Sequence, residues 1–231
     1  MIVLGINTST LEGSVALMGD QALISEYTLN VQATHSERLL PSIDRLLEET
    51  GLHFSELSGI AVTVGPGSFT GLRIGLASAK GLAMASSLPL VGVSTLEAMA
   101  RNLPFCRYSI CPLLNARKGE VYWSLYQFEG EKLIQMEQEA VSPPEAVANR
   151  IREKTVFLGC GAVDYARRIK EILEERALFA PLIAGTVRAS VVAEMGMERL
   201  KRGEKDDPAA LVPRYVRRSE AEIRWGIKIG D

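Results

Sequence analysis

The densest chemical signal in the chain is "VTVGPGSFTGLRIGLASAKG", Val62 to Gly81, where Gly65, Gly67 and Gly71 follow an apolar run and open a long helical pattern. Glycines at such a corner permit positive φ and close backbone approach, and the first turn of a helix offers N–H groups with no intrahelical acceptor. The chemistry on offer is capture of a phosphate or carboxylate by Gly65, Gly67, Ser68, Thr70, Gly71 and Arg73. The spacing is GxGxxxG: no Lys–Ser/Thr pair follows at the Walker distance, and Thr70 stands where the dinucleotide fingerprint has its third glycine. The same residues also make a tight strand-to-helix turn capped by Ser68 or Thr70. On the motif alone, the turn outweighs the ligand.

Other reactive residues are sparse. His35 precedes Ser36 and Glu37, which invites a triad, but Ser36 also suits a helix cap. His53 follows a helix end, where a solvated turn residue is the commoner case, and neither histidine belongs to an HxxxH or HExxH pair. Ser68 is flanked by Pro66 and Thr70 at the positions where a nucleophile elbow has glycines. Cys106, Cys111 and Cys160 are odd in number without zinc-ligand spacing, and read as small thiols in a reducing cytosol. The tail "PRYVRRSEAEIRWGIK" interleaves Tyr215 and Trp225 with Arg214, Arg217, Arg218 and Arg224; it reads as a partly packed segment that is also able to touch RNA.

The elements that must position these residues are legible as periodicity. "IVLGINTST" reads as a buried strand ending in a Thr/Ser turn, "SVALMGD" and "ALISEYTLN" as a hairpin, and "HSERLLPSIDRLLEETG" as a helix over 37–50. "GIAVTV" is a strand feeding the glycine corner, helix 70–85 follows, and "LVGVS" and "TLEAMARNL" add a strand and a helix. The pattern then restarts: "YSICPLLNA", "EVYWSLYQF" and "KLIQMEQEAV" are three strands with turns at 117–120 and 129–131. Helices open at "SPPEAVANRI", "DYARRIKEILEE" and "VVAEMGMERLKRG", with strand "TVFLG" between the first two. That order predicts an α/β protein of two related lobes, 1–103 and 104–231, with mixed sheets flanked by helices, the last helix and tail packing back on the first lobe.

At 231 residues, 47% hydrophobic and 23% charged, the chain has an ordinary globular composition with room for either one domain or two lobes. A formal charge of −2 supplies no global drive toward nucleic acid or anionic membrane. No apolar run reaches bilayer length, and "MIVLGINTST" lacks the basic start of a secretory signal, so a cytoplasmic protein is expected.

Helix 70–85 is unusual. Gly71, Leu72, Gly75, Ala79, Leu82 and Ala83 share one side; Ile74, Ala77, Ser78, Gly81 and Ala85 lie on the other, equally uncharged. A helix that is apolar nearly all round is covered on both faces, and a partner is favoured over a second layer of this chain. Leu40 and Leu47 of helix 37–50 join that candidate partner face.

With "VLGINTST", "HSERLLP", "VGPGSFTGLRIGLASAKGLA", "VGVSTLEAMA" and "NARKGEVYW" in view, the chain resembles, over essentially its whole length, the TsaB family of tRNA threonylcarbamoyladenosine biosynthesis proteins. That family sits in the TsaD/glycoprotease-like group of the actin-like sugar-kinase/Hsp70 superfamily, so the resemblance implies two actin-like, ribonuclease H-like lobes. It implies a non-catalytic subunit that docks a TsaD-like catalytic paralogue, together with a TsaE-like ATPase. That paralogue transfers threonylcarbamoyl to N6 of adenosine 37 in tRNAs reading A-starting codons. The resemblance implies no cofactor and tRNA contact through the complex; the apolar surface of helices 37–50 and 70–85, more than one core face requires, predicts a homodimer in the absence of partner. The paralogue's metal-binding HxxxH is missing, since Leu39 stands four residues after His35; the chain also carries Asn7 and Asn115 where the resemblance implies Asp. A neutral Asn7 weakens any Mg²⁺-nucleotide role for the first turn. The alternative is a phosphotransferase-like enzyme using the Gly65–Gly71 loop.

Overall fold

A computed structural model describes residues 1–30 and 35–217. Strands β1 (Ile2–Asn7), β2 (Gly13–Gly19) and β3 (Leu23–Leu29) open the chain, followed by α1 (His35–Thr50), β4 (Gly59–Gly65), α2 (Phe69–Ser86), β5 (Leu90–Ser94) and α3 (Thr95–Ala100). The second half repeats the order: β6 (Ser109–Asn115), β7 (Val121–Glu129), β8 (Lys132–Ser142), α4 (Pro144–Arg150) and β9 (Thr155–Leu158). It continues with α5 (Cys160–Asp164), α6 (Ala166–Leu173), β10 (Ala177–Phe179) and α7 (Ala189–Lys201).

Both sheets are mixed and share one topology. The first runs β3-β2-β1-β4-β5 and the second β8-β7-β6-β9-β10. In each, the leading three strands pair antiparallel and the later two join parallel to the first. Strand β1 shows how one strand serves two layers. Val3 faces the core between the sheets, while Leu4 and Ile6 face the core under α1 and α2. Between the sheets lie α3 and α7, with Leu96, Met99, Val192 and Met195 packed against Val91 of one sheet and Ile110 and Leu158 of the other. The outer face of the second sheet packs Trp123 and Phe157 against Val147 of α4 and Ile169 of α6.

Helix α7 belongs to the second half in sequence, yet it lies across β1, β2 and β4 of the first sheet. The approach is close. A Cβ on Gly5 would sit 2.1 Å from the Ala189 carbonyl oxygen, and one on Gly196 would sit 2.4 Å from Ala61 Cβ. Glu26 of β3 fixes the start of the helix, accepting from the Ser190 N–H at 2.9 Å and from Arg188 Nη2 at 3.1 Å. A carboxylate at that end complements the helix dipole.

Two short elements escape the sequence pattern. The helix expected across "DYARRIKEILEE" is α6, and a short helix precedes it that the periodicity did not show: Gly159, at φ +96°, turns the chain beside Met99 and Leu113, and α5 starts at Cys160. Strand β10 is three residues long, too short for alternation to show.

Candidate functional site

Ser68 caps α2. Its Oγ accepts from the Gly71 N–H at 3.3 Å, while Thr70 lies exposed inside the first turn. The glycines of the corner are then explained one by one by the turn after β1. The Ser68 N–H donates to the Ser9 carbonyl at 2.7 Å, and Thr8 Oγ1 donates to the Gly71 carbonyl at 2.8 Å. A Cβ on Gly67 would lie 2.2 Å from Ser9 O, on Gly71 2.0 Å from Thr8 O, and on Gly75 2.1 Å from Thr8 Oγ1. The close approach that these glycines permit is therefore made to the chain's own Thr8 and Ser9. A Cβ on Gly65, which stands at φ +122° and is joined to Pro66 by a cis peptide, would lie 2.7 Å from the Arg214 carbonyl oxygen.

Asn7 holds this turn in place from beneath. It is fully buried, and its Oδ1 accepts from Ser9 N–H (3.0 Å), Ser9 Oγ (2.6 Å) and Thr63 Oγ1 (3.2 Å). Its Nδ2 donates to the Val187 carbonyl at 3.2 Å, which ties the turn to the approach of α7. An amide supplies both roles at once; a carboxylate cannot donate. Asn115, at the matching place in the second half, is exposed and donates to Asp164 Oδ2 at 2.9 Å.

The histidines are spread rather than clustered. His35 Nε2 lies 2.9 Å from the Thr10 carbonyl oxygen. His53 is exposed, with its backbone N–H donating to Glu56 Oε2 at 2.7 Å. Ser36 sits inside α1, which begins at His35, so it is not the N-cap. Among the described residues, no three His, Cys, Asp or Glu side chains gather as a metal site, and no helix is long and apolar enough to cross a membrane. Burial pushes the thiols of Cys111 and Cys160 up, away from thiolate reactivity.

The candidate partner face is laid out as a surface. Helices α1 and α2 pack side by side on the first sheet, with Leu39, Ile43, Leu46, Leu76, Ala79 and Ala83 inward. Outward, Ala77, Gly81 and Ala85 are exposed, Ile74, Ser78 and Leu47 are half-buried, and Leu40 is 51% exposed. Among the described residues, nothing outside its own helix turn lies within 4 Å of a Cβ built on Gly81. Among the described residues, no second layer covers the far face of α2. Met84, 71% exposed, extends the patch; it was readable as an apolar residue on helix 70–85 but fell outside the small-residue stripe. The repeated topology supplies an internal comparison. Helix α6 occupies in the second half the place of α2 in the first, and its outward residues Arg167, Arg168, Lys170 and Glu171 are charged.

The described part of the tail forms a strap from one lobe to the other. Asp206 bridges to Leu90, and its carboxylate accepts from Gly92 N–H (2.7 Å) and Arg199. Leu211 packs on Gly92, and the Arg214 N–H donates to the Val64 carbonyl at 2.7 Å. Tyr215 stacks on Phe69 with centroids 4.8 Å apart, and Arg73 Nε donates to its hydroxyl at 2.8 Å. Arg217 then reaches the second lobe, donating to the Ala116 carbonyl at 2.6 Å and pairing with Glu120 at 3.3 Å. Arg218, Arg224 and Trp225 lie outside the described residues. Beside the strap, Glu139 of β8 is 92% buried, and burial raises its carboxyl above the ordinary range. It accepts from Ser94 Oγ, while Arg214 Nη1 stands 3.8 Å from its other oxygen. No sequence pattern marked it.

The fold and the strand order define an actin-like two-lobed α/β protein. The ROK hexokinase of Thermus thermophilus shares that fold with a TM-score of 0.53 at 13% identity, over 86% of this chain and 99% of that one. A family model described as TsaD, tRNA N6-adenosine threonylcarbamoyltransferase, matches residues 23–225. The tRNA threonylcarbamoyladenosine biosynthesis protein TsaB of Bacillus subtilis is 34% identical, covering 97% of this chain and 98% of the relative, and that of Escherichia coli is 37% identical over 66% and 67%. The structure of YeaZ from Pseudomonas aeruginosa superposes with a TM-score of 0.80 at 31% identity, over 93% of this chain and 99% of that one. The chain belongs to the TsaB family, within the wider TsaD group.

Proposed function

We propose that this chain is a non-catalytic subunit in tRNA threonylcarbamoyladenosine biosynthesis, acting by docking a TsaD-like catalytic paralogue through the outer face of α1 and α2. In this reading the paralogue carries out the transfer to N6 of adenosine 37, a TsaE-like ATPase joins the assembly, and the same face closes a homodimer when the paralogue is missing. The observation that carries it is the contrast between the two halves. One topology gives α6 an ordinary charged exterior and gives α2 an exterior of Ala77, Gly81, Met84 and Ala85. Small residues let a second helix approach closely, and a contiguous uncharged patch of this kind marks an interaction site.

Gly81→Glu tests it. The site is open, so the variant is expected to keep the wild-type circular dichroism spectrum. A carboxylate on a long stem has no place where two backbones approach, and burying it unpaired is costly. The expected result is loss of co-purification with the paralogue and loss of reconstituted tRNA modification. A folded variant that still assembles and supports modification would remove the main support for the reading.

A further inference from the structure

The strap does more than close the fold: it brings cationic and aromatic groups from three separate places to one surface. Helix α2 contributes Phe69 and Arg73 from its first turns, and the strap contributes Arg214, Tyr215 and Arg217. The β6–β7 turn contributes Arg117, exposed and held at φ +63° next to the Ala116 carbonyl that Arg217 grips. Burial pushes the Tyr122 hydroxyl up, and the nearby charges of Arg217 and Arg117 oppose it. Among the described residues the carboxylates on this side are paired or buried: Glu204 and Asp206 are held by Arg199. Glu120 is engaged by Arg217, and Glu139 lies buried beneath Arg214.

Cations set around a partly exposed ring are the chemistry of single-stranded RNA recognition: guanidinium groups take phosphates, and an aromatic face takes an unstacked base. Arg73 lies 3.8 Å from the Phe69 ring centre and 5.8 Å from that of Tyr215, so the guanidinium borders both stacked rings, and Tyr215 is 39% exposed. We propose that this surface, where the strap crosses from α2 to the β6–β7 turn, binds the tRNA, with Arg73, Arg117 and Arg214 on phosphates of a loop and Tyr215 under one of its bases. The proposal rests on the tRNA-modification reading above and adds a direct contact between this subunit and the substrate. A net charge of −2 does not oppose it, because the field that matters is local within a Debye length.

The test is fluorescence-anisotropy binding of the purified full chain to an unmodified tRNA transcript across a salt series starting at about 50 mM. Arg73→Glu/Arg117→Glu is expected to weaken binding at least about tenfold and to flatten the salt slope by roughly two. Arg167→Glu/Arg168→Glu on α6 changes the net charge equally and is expected to bind as wild type does. Should the first pair disturb folding, Arg117→Glu alone, on an exposed turn, is expected to flatten the slope by about one. A folded Arg73/Arg117 variant that binds like wild type overturns the proposal, and so do equal losses from both pairs, which would reveal only an effect of total charge. Reconstituted modification with the wild-type chain is scored separately. Modification that needs the chain, combined with unchanged RNA binding by the variants, overturns this surface and leaves the docking reading in place. Modification that does not need the chain overturns that reading, whatever the variants bind.

Discussion

Gly75 and Gly81 lie on one helix, yet adding the same methyl group to each should move stability in opposite directions. Replacing a mid-helix glycine by alanine stabilises by about 1 kcal/mol where nothing resists it. Gly81 meets that condition, since its Cβ direction is open. At Gly75 the new Cβ would lie 2.1 Å from Thr8 Oγ1, which is itself bonded to the Gly71 carbonyl at 2.8 Å. Thr8 must then leave its rotamer and give up that bond, worth about 1 kcal/mol, and overpacking adds about 1–3 kcal/mol more. After the helix-propensity gain, Gly75→Ala should be destabilised by about 1–3 kcal/mol, and Gly81→Ala stabilised by about 0.5–1 kcal/mol. Urea unfolding followed by circular dichroism reads both. The double change Thr8→Ala/Gly75→Ala removes the obstructing oxygen, so the mutant cycle should show coupling of at least about 1 kcal/mol. If Gly75→Ala proves as stable as Gly81→Ala, or the cycle is additive, the packing account of the glycine corner is wrong.

Asn7→Ala leaves Ser9 N–H, Thr63 Oγ1 and the Val187 carbonyl without their shared partner, and a loss of about 2–4 kcal/mol in urea unfolding is expected; a loss under 1 kcal/mol would mean that the amide is not the pin of the turn. The raised carboxyl of Glu139 means that the folded state binds a proton more tightly than the unfolded one. Its contribution is therefore whole below the unfolded value of about 4.3 and is lost as pH climbs through the higher folded value. Glu139→Gln should accordingly match wild type near pH 4 and exceed it near pH 8, in unfolding curves at the two pH values; equal pH dependence for the two proteins would refute the assignment.

The lobes and nearly all of their elements were legible in the sequence because each half states its periodicity twice over. A buried strand and two more strands are followed by segments of helical spacing. The outward face of α2 was legible for the same reason, as an uncharged stripe from Ile74 to Ala85. What could not be read was the occupant of the glycine corner. Gly67, Gly71 and Gly75 announce that something comes close, but glycine looks the same whether the visitor is a phosphate or the Thr8 and Ser9 backbone, more than fifty residues away in sequence. Long-range side-chain pairings were equally silent: Asn7 with Val187, Glu26 with Ser190 and Asp206 with Gly92 each join residues that no local pattern relates.

The position of α7 sets a schedule for synthesis. The inner face of the first sheet, with Val3, Ala61 and Val91, is covered by residues 189–201, so the ribosome makes one wall of this core at the outset and the other near the end. At about 5–20 residues per second, the last strand of that sheet waits on the order of 5–20 s for the helix that covers it. During that interval the nascent chain displays an apolar sheet face together with an unpaired edge, a combination that attracts chaperones or other nascent copies. Folding here is constrained less by how fast the sheet forms than by how long it must stand uncovered.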